Sequence, residues 1–137
     1  MYQRILIPLE NTQTDEAILV HIRPLARLTQ AHLTLIHVAD GFLARNQQRF
    51  GESDEMRRDR AYLDRRESEL RADGFAVESI LATGNPAEEV LAAAERGQCD
   101  LIAMATHGHR FLNDLIRGSV ASDVHHRARI PVLLVRA

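Results

Sequence analysis

The sequence contains no lysine and no tryptophan, and it has a single cysteine, Cys99. Without lysine the chain lacks the phosphate-binding residue of a Walker A loop and cannot form a Schiff base. One cysteine cannot form an intramolecular disulfide, which favours a reducing compartment. The longest apolar run, residues 130–135, is far below the ~18 residues of a membrane span. The N-terminus has no basic region followed by an apolar stretch. These absences predict a cytoplasmic protein that does not enter a membrane.

Charge and aromatic content argue against nucleic acid as a partner. The 17 arginines and 19 acidic residues give a net charge of -2, and there are only two tyrosines and four phenylalanines. The chain therefore has neither a large positive field nor a good supply of stacking side chains. With 137 residues, 45% of them apolar, it is long enough for one compact core. We expect a single domain over residues 1–137.

Short apolar segments alternate with amphipathic ones along the chain. They predict strands at residues 3–9, 32–39, 75–81, 100–105 and 131–136, and helices at 14–30, 55–73, 86–96 and 119–127. Strands that are apolar on both faces and separated by helices predict an α/β fold, a doubly wound five-stranded parallel sheet with helices on both faces. Ligands of such sheets bind where the winding direction reverses, which points to the loops after the first and fourth strands.

The segment after the fourth predicted strand contains two glycines that suit a phosphate. Gly108 allows a close approach to the backbone, and Gly118 with Ser119 opens a helix whose first amide groups point outward. Such amides and the helix dipole favour an anion without any lysine. Glycines in a loop of this size also serve simply as turn residues, and spacing by itself leaves both readings open.

Several stretches together resemble the universal stress protein family. They are Gly108 followed by nine residues and Gly118-Ser119, the preceding Thr106-His107, the first strand ILIPL, His37-Val38, Gly84-Asn85-Pro86, and the final strand IPVLLVR. The resemblance extends over the whole chain. It implies binding of ATP or a related adenine nucleotide, ADP or AMP, in one branch of the family and no nucleotide in another.

Positions carried over from the family imply a particular binding site. The resemblance places adenine near Leu9 and Val38, and the ribose and a nucleotide-bound Mg²⁺ near Glu10. It places the phosphates against the segment from Gly108 to Val120, where Arg110 adds charge. The full predicted set is Pro8, Leu9, Glu10, Val38, Met104, Ala105, Gly108, His109, Arg110, Gly118, Ser119 and Val120. Ala105 and Glu10 stand where the family usually has glycine and aspartate, which lowers the expected affinity.

The sequence predicts a binding protein and not an enzyme that turns over a second substrate, and it leaves slow hydrolysis of bound ATP open. The residues after Leu9, ENTQT, match neither of the loops that related adenylyl-transferring enzymes carry. His107, His109 and the pair His125-His126 are predicted to be solvated and not metal ligands, and Cys99 to be a packed, unreactive thiol. The final strand is expected at a sheet edge, and the resemblance implies a homodimer paired through it. The alternative function is a dimeric adaptor of the same family that holds no nucleotide.

Overall fold

A computed structural model describes residues 1–40, 54–106 and 120–137, which form an alternating series of strands and helices. The elements are β1 (Arg4–Pro8), α1 (Thr14–Thr29), β2 (His32–Asp40), α2 (Asp54–Ala72), β3 (Ala76–Gly84), α3 (Pro86–Arg96), β4 (Leu101–Thr106), α4 (Val120–Arg127) and β5 (Val132–Arg136). The type and order of the predicted elements are confirmed. In the described part of the chain, no helix is long and apolar enough to cross a membrane.

The described strands form one parallel sheet in the order β3-β2-β1-β4-β5. In its centre, Ile5 of β1 lies opposite Leu33 of β2 on one side and Leu101 of β4 on the other. The chain therefore winds outward through β2 and β3, returns, and continues from β4 to β5. The predicted fold class is confirmed, and the winding reverses between β1 and β4.

Helices cover both faces of this sheet because strand side chains point to alternate sides. Ile5 and Ile7 of β1 pack in one apolar cluster, which also contains the buried apolar residues of α1 and α2. Leu6 packs in the other cluster, with the buried residues of α3 and α4. All three side chains of β1 are fully buried. Burying each contributes about 1.5–3 kcal/mol, so the centre of the sheet anchors the fold.

Both ends of α3 lie where the sequence predicts them. Asn85 is the N-cap, and its side-chain oxygen accepts a hydrogen bond from the Glu88 amide at 3.0 Å, with Pro86 in the first helical position. Gly97 ends the helix, but with a negative φ of -83°. A methyl group at Gly97 would lie 3.1 Å from the Ala93 carbonyl oxygen and 3.3 Å from the Cys99 sulfur. Space, and not a left-handed backbone, is therefore what glycine provides at this position.

The expectation that every strand is apolar on both faces is wrong for the two edge strands. In β3, Ala76 and Glu78 are exposed, and in β5, Leu134 is 40% exposed. An edge strand has a neighbour on one side only, so the helices cover it incompletely. The central strands β1 and β4 fit the expectation, because strands lie on both sides of them and helices cover both faces.

Candidate functional site

A cavity of about 220 Å³ lies at the carboxyl ends of β1, β2 and β4. Seven of the predicted site residues line it, namely Pro8, Leu9, Glu10, Val38, Met104, Ala105 and Val120. They come from β1 and the residues after it, from β2, from β4 and from the start of α4. Because the winding of the sheet reverses between β1 and β4, the helices there diverge and leave this space. We call it the switch-point cavity.

The other five predicted residues, Gly108, His109, Arg110, Gly118 and Ser119, lie outside the described residues. The structure therefore brings together the positions that the resemblance assigns to the base and the ribose, together with Val120 from the phosphate end. Binding of a nucleotide by these residues stays a prediction.

Glu10 places a carboxylate at the rim of the switch-point cavity. Its side chain is exposed, and Oε2 accepts a hydrogen bond from the Thr14 hydroxyl at 3.3 Å. Its backbone amide donates to Oδ1 of Asp15 at 2.8 Å. Carboxylate oxygens accept hydrogen bonds from sugar hydroxyls and bind Mg²⁺, which usually takes one or two carboxylates together with phosphate oxygens. The position of Glu10 is compatible with either role.

Asp15 is a cavity-lining residue that the predicted site does not include. Its side chain is 1% exposed and accepts three hydrogen bonds, from the Glu10 amide at 2.8 Å, the Asn11 amide at 2.9 Å and the Tyr62 hydroxyl at 2.6 Å. A signal for its burial was present in the sequence. Asp15 lies three residues before Ile18 and so belongs to the apolar stripe of α1, where a carboxylate needs partners.

His37 is a second residue of the cavity wall that the predicted site omits. Its Nδ1 donates to the Leu9 carbonyl oxygen at 2.8 Å, since a carbonyl can only accept. Its Nε2 lies 3.3 Å from Oδ2 of Asp59, a buried residue of α2. The other carboxylate oxygen of Asp59 accepts a hydrogen bond from the Asn11 side chain at 2.9 Å. His37 thus ties the ends of β1 and β2 to helix α2.

Tyr62 of α2 is kept as a neutral hydrogen-bond donor by its surroundings. Burial, followed by its hydrogen bond to Asp15, raises the pKa of Tyr62 to about 12. Its oxygen accepts a hydrogen bond from Nε of Arg66 at 3.2 Å, and Arg66 also pairs with Glu16 at 2.9 Å. The phenol is therefore protonated throughout the physiological pH range and held in one orientation.

A larger cavity, of about 320 Å³, lies between the C-terminal ends of α3 and α4. Its walls include Leu91, Cys99, Arg127 and Ala128, and none of the predicted site residues lines it. It is near the start of β4, at the amino ends of the strands, whereas the switch-point cavity lies at their carboxyl ends. Volume by itself does not identify the site in this fold, because ligands bind at the carboxyl ends of the strands.

The cysteine and two of the histidines with predicted roles lie among the described residues. Cys99 is buried, and burial raises the pKa of its thiol. His125 and His126 are exposed, with ring centroids 5.5 Å apart and an angle of 71° between the ring planes. Within the described ranges, no group of three histidine, cysteine or acidic side chains is arranged to hold a metal. His107 lies outside those ranges, as does His109.

Fold and cavity together define a doubly wound α/β domain with a candidate ligand site at its switch point. The model of the universal stress protein family matches residues 1–136, and the chain belongs to this family.

Individual members of the family resemble the chain over nearly its whole length. Universal stress protein MJ0577 of Methanocaldococcus jannaschii is 28% identical over 99% of this chain and 96% of its own. The solved structure of MJ0577 superposes with a TM-score of 0.82 at 30% identity, covering 100% of this chain and 97% of that one.

Two solved structures of more distant members contain nucleotides. A universal stress protein of Archaeoglobus fulgidus in complex with dAMP has a TM-score of 0.72 and 22% identity, with 98% of each chain covered. A universal stress protein in complex with cAMP has a TM-score of 0.76 and 18% identity, with 98% of this chain and 97% of that chain covered. At these identities the likeness shows the shared fold.

Proposed function

We propose that this universal stress protein binds an adenine nucleotide, ATP or its relatives ADP and AMP, in the switch-point cavity, and acts in the cytoplasm in a stress response or in signalling. The observation that carries the proposal is the convergence of seven predicted residues from four separate parts of the chain on one cavity. The resemblance to the family supplied them as positions along the chain, and in the structure they lie around one cavity. A cavity at the switch point of a parallel sheet is also where ligands of this fold class bind.

The walls of the cavity suit the two less charged parts of a nucleotide. Leu9 and Met104 are buried apolar side chains, and Val38 is half-buried beside them, so the cavity offers an apolar surface for the adenine ring. Glu10 at the rim offers acceptors to ribose hydroxyls. The phosphates are assigned to Gly108, Gly118 and Ser119, outside the described residues.

Nucleotide complexes of other proteins with this fold support the proposal. The dAMP and cAMP of the two relatives share an adenine base and a sugar phosphate, and differ in the sugar hydroxyls and phosphate geometry. A pocket selected for adenine and tolerant at the phosphate end would accommodate such variety. The same property would let the present chain accept ATP, ADP or AMP.

We assign Glu10 a secondary role as a ligand of nucleotide-bound Mg²⁺. One carboxylate beside a triphosphate is the usual protein contribution to such an ion. Removal of the ion with excess EDTA should weaken ATP binding and leave AMP binding almost unchanged, because AMP lacks the β- and γ-phosphates that chelate it. Equal affinities for ATP with and without EDTA would contradict this role.

The site is proposed to bind its ligand without turning over a second substrate. The residues after Leu9 differ from the loops of adenylyl-transferring relatives, and the chain has no lysine to activate a phosphate. Incubation with ATP and magnesium should leave the nucleotide intact over many binding and release cycles. Rapid, protein-dependent release of phosphate or pyrophosphate would show an enzyme instead.

Calorimetric titration with ATP and magnesium tests nucleotide binding directly. Ala105→Leu adds a bulky side chain to the cavity wall and should weaken binding by at least about tenfold, or about 1.4 kcal/mol. Ala128→Leu makes the same change in the larger cavity and should alter the affinity by less than about twofold. No heat at millimolar ATP with the wild-type protein, or equal effects of the two variants, would overturn the assignment.

Ultraviolet absorbance provides a simpler first measurement. The chain has no tryptophan and two tyrosines, so it absorbs weakly at 280 nm. Adenine nucleotide that copurifies with the protein would give a clear maximum near 260 nm after denaturation. Protein that is purified without bound nucleotide is the proper material for the titration, because it has no ligand to displace.

A homodimer paired through β5 is proposed for the same protein, and it is compatible with the nucleotide-free adaptor as well. β5 is an edge of the sheet formed by the described residues, and Leu134 in it is 40% exposed. An apolar edge strand that stays uncovered tends to pair with another chain. Leu134→Glu should turn a dimer into a monomer in sedimentation, whereas Leu28→Glu, at an 84% exposed site on α1, should not. A wild-type monomer at micromolar concentration would contradict the dimer.

A further inference from the structure

Asp59 and Tyr62, two residues of α2, form hydrogen bonds to the turn that follows β1 and to the start of α1. Asp59 and Tyr62 are three residues apart on the helix and therefore lie on the same side of it. Both are buried, at 6% and 7% exposure. Asp59 accepts a hydrogen bond from the Asn11 side chain at 2.9 Å, and the Tyr62 hydroxyl donates to Asp15 at 2.6 Å. We call the two residues the α2 clamp.

Asp15 passes the effect of Tyr62 on to the rim of the switch-point cavity. Its two carboxylate oxygens accept hydrogen bonds from the backbone amides of Glu10 and Asn11. Asn11 has a left-handed backbone with φ of 61°, a conformation that asparagine adopts more readily than most residues but that still needs support from its surroundings. The hydrogen bonds from the backbone amides to Asp15 and from the Asn11 side chain to Asp59 provide that support.

We propose that Asp15 is a positioning residue of the nucleotide site, held in place by Tyr62, so that helix α2 sets the affinity for the ribose end of the ligand without touching it. This inference rests on the proposed function. Asp15 is buried, with both oxygens engaged by three donors, and the side chain of Glu10 is exposed to solvent at the rim, where it also accepts a hydrogen bond from Thr14. Asp15 therefore acts through the backbone of Glu10, and Glu10 meets the ligand.

The arrangement separates the ribose end of the cavity from the base end. Leu9 and Met104 lie in the apolar clusters of the core and are held by packing. Glu10 has an exposed side chain, and its backbone amide is bonded to Asp15. Loosening the clamp should thus displace Glu10 and leave the surface for adenine in place.

The experiment uses Tyr62→Phe, which removes one hydroxyl and keeps the buried ring. Tyr2→Phe, the same change at the chain's other tyrosine, is the matched control. In ligand-free protein, hydrogen exchange of the Glu10 and Asn11 amides should be several-fold faster in Tyr62→Phe than in wild type and unchanged in Tyr2→Phe. Thermal unfolding of each variant establishes that it is folded. Unchanged exchange in Tyr62→Phe would overturn the role of the clamp.

Affinity for two probes then tests the effect on the ligand. Tyr62→Phe should weaken binding of ATP by about tenfold, within the usual range of coupling between sites, and binding of free adenine by less than about twofold. An equal loss for both probes would indicate general damage to the cavity, and no loss for either would show that the turn does not position Glu10. Either outcome overturns the inference.

Failure of the proposed function would look different. If wild-type protein binds neither ATP nor adenine, the proposed function is wrong and the ligand part of the inference falls with it. The exchange rates of Glu10 and Asn11 would still decide whether Tyr62 holds the turn, because they are measured without ligand.

Discussion

Replacing Asp15 by asparagine changes one oxygen of a buried carboxylate into an NH₂ group and keeps the shape of the side chain. In the native structure both oxygens accept hydrogen bonds, from two backbone amides and from the Tyr62 hydroxyl. The amide side chain has one oxygen only. Whichever way it is oriented, its NH₂ group faces at least one of these donors, and that donor loses its acceptor in a site that is 1% exposed to water.

The cost follows from the two kinds of hydrogen bond involved. A buried donor without an acceptor costs about 1–3 kcal/mol, and the bonds that survive change from charged to neutral acceptors, which weakens them by up to about 1–1.5 kcal/mol. We expect Asp15→Asn to lower the free energy of unfolding by about 2–4 kcal/mol. That is a large share of the 5–15 kcal/mol that is typical of folded proteins.

Equilibrium unfolding in urea measures this loss. At a slope of about 2 kcal/mol per M, the midpoint should fall by about 1–2 M. Asp64→Asn, on an exposed position of α2, is the control and should change stability by less than about 0.5 kcal/mol. A loss below about 0.5 kcal/mol in Asp15→Asn would refute the reasoning, because the carboxylate could then not be the main support of the turn.

Two further predictions concern Asp100 and Cys99, which lie just before β4, at the amino ends of the strands. Burial raises the pKa of Asp100, but hydrogen bonds from the amides of Arg4 and Gln3 outweigh it and hold that pKa below its ordinary value. The stabilisation that ionised Asp100 provides is therefore complete at pH values above its pKa in the unfolded chain, and it is lost as pH falls through its pKa in the folded protein. In urea titrations at decreasing pH, Asp100→Asn should lose less stability than the wild type. Parallel pH profiles of the two proteins would contradict this. Cys99, whose thiol pKa burial raises, should react with a disulfide reagent at least about tenfold more slowly in native protein than in urea, and equal rates would show an open thiol.

Element types and many boundaries were predictable from the sequence because they depend on neighbouring residues. Apolar residues at helical spacing defined α1, and Asn85 with Pro86 defined the start of α3 through contacts within one helical turn. The resemblance added the positions of the site, and seven of them line one cavity.

The edge strands show where local pattern was insufficient. The apolar sequence of β5 looks like that of a buried strand, yet Leu134 is exposed, and the apolar Ala76 of β3 is exposed as well. Their exposure depends on strand order, and β3 and β5 occupy the two ends of the described sheet. Strand order is a property of the whole chain and leaves little trace within a five-residue segment.

The sequence by itself determined which segments are strands and helices, since hydrophobic periodicity is a short-range property. Only the tertiary structure decided what Asp15 binds. Its partner Tyr62 is 47 residues away along the chain, and Asp59 is 48 residues from Asn11. Such pairs form because the crossover from β2 to β3 lays α2 against the turn after β1, and a buried carboxylate takes whatever donors that packing brings within reach.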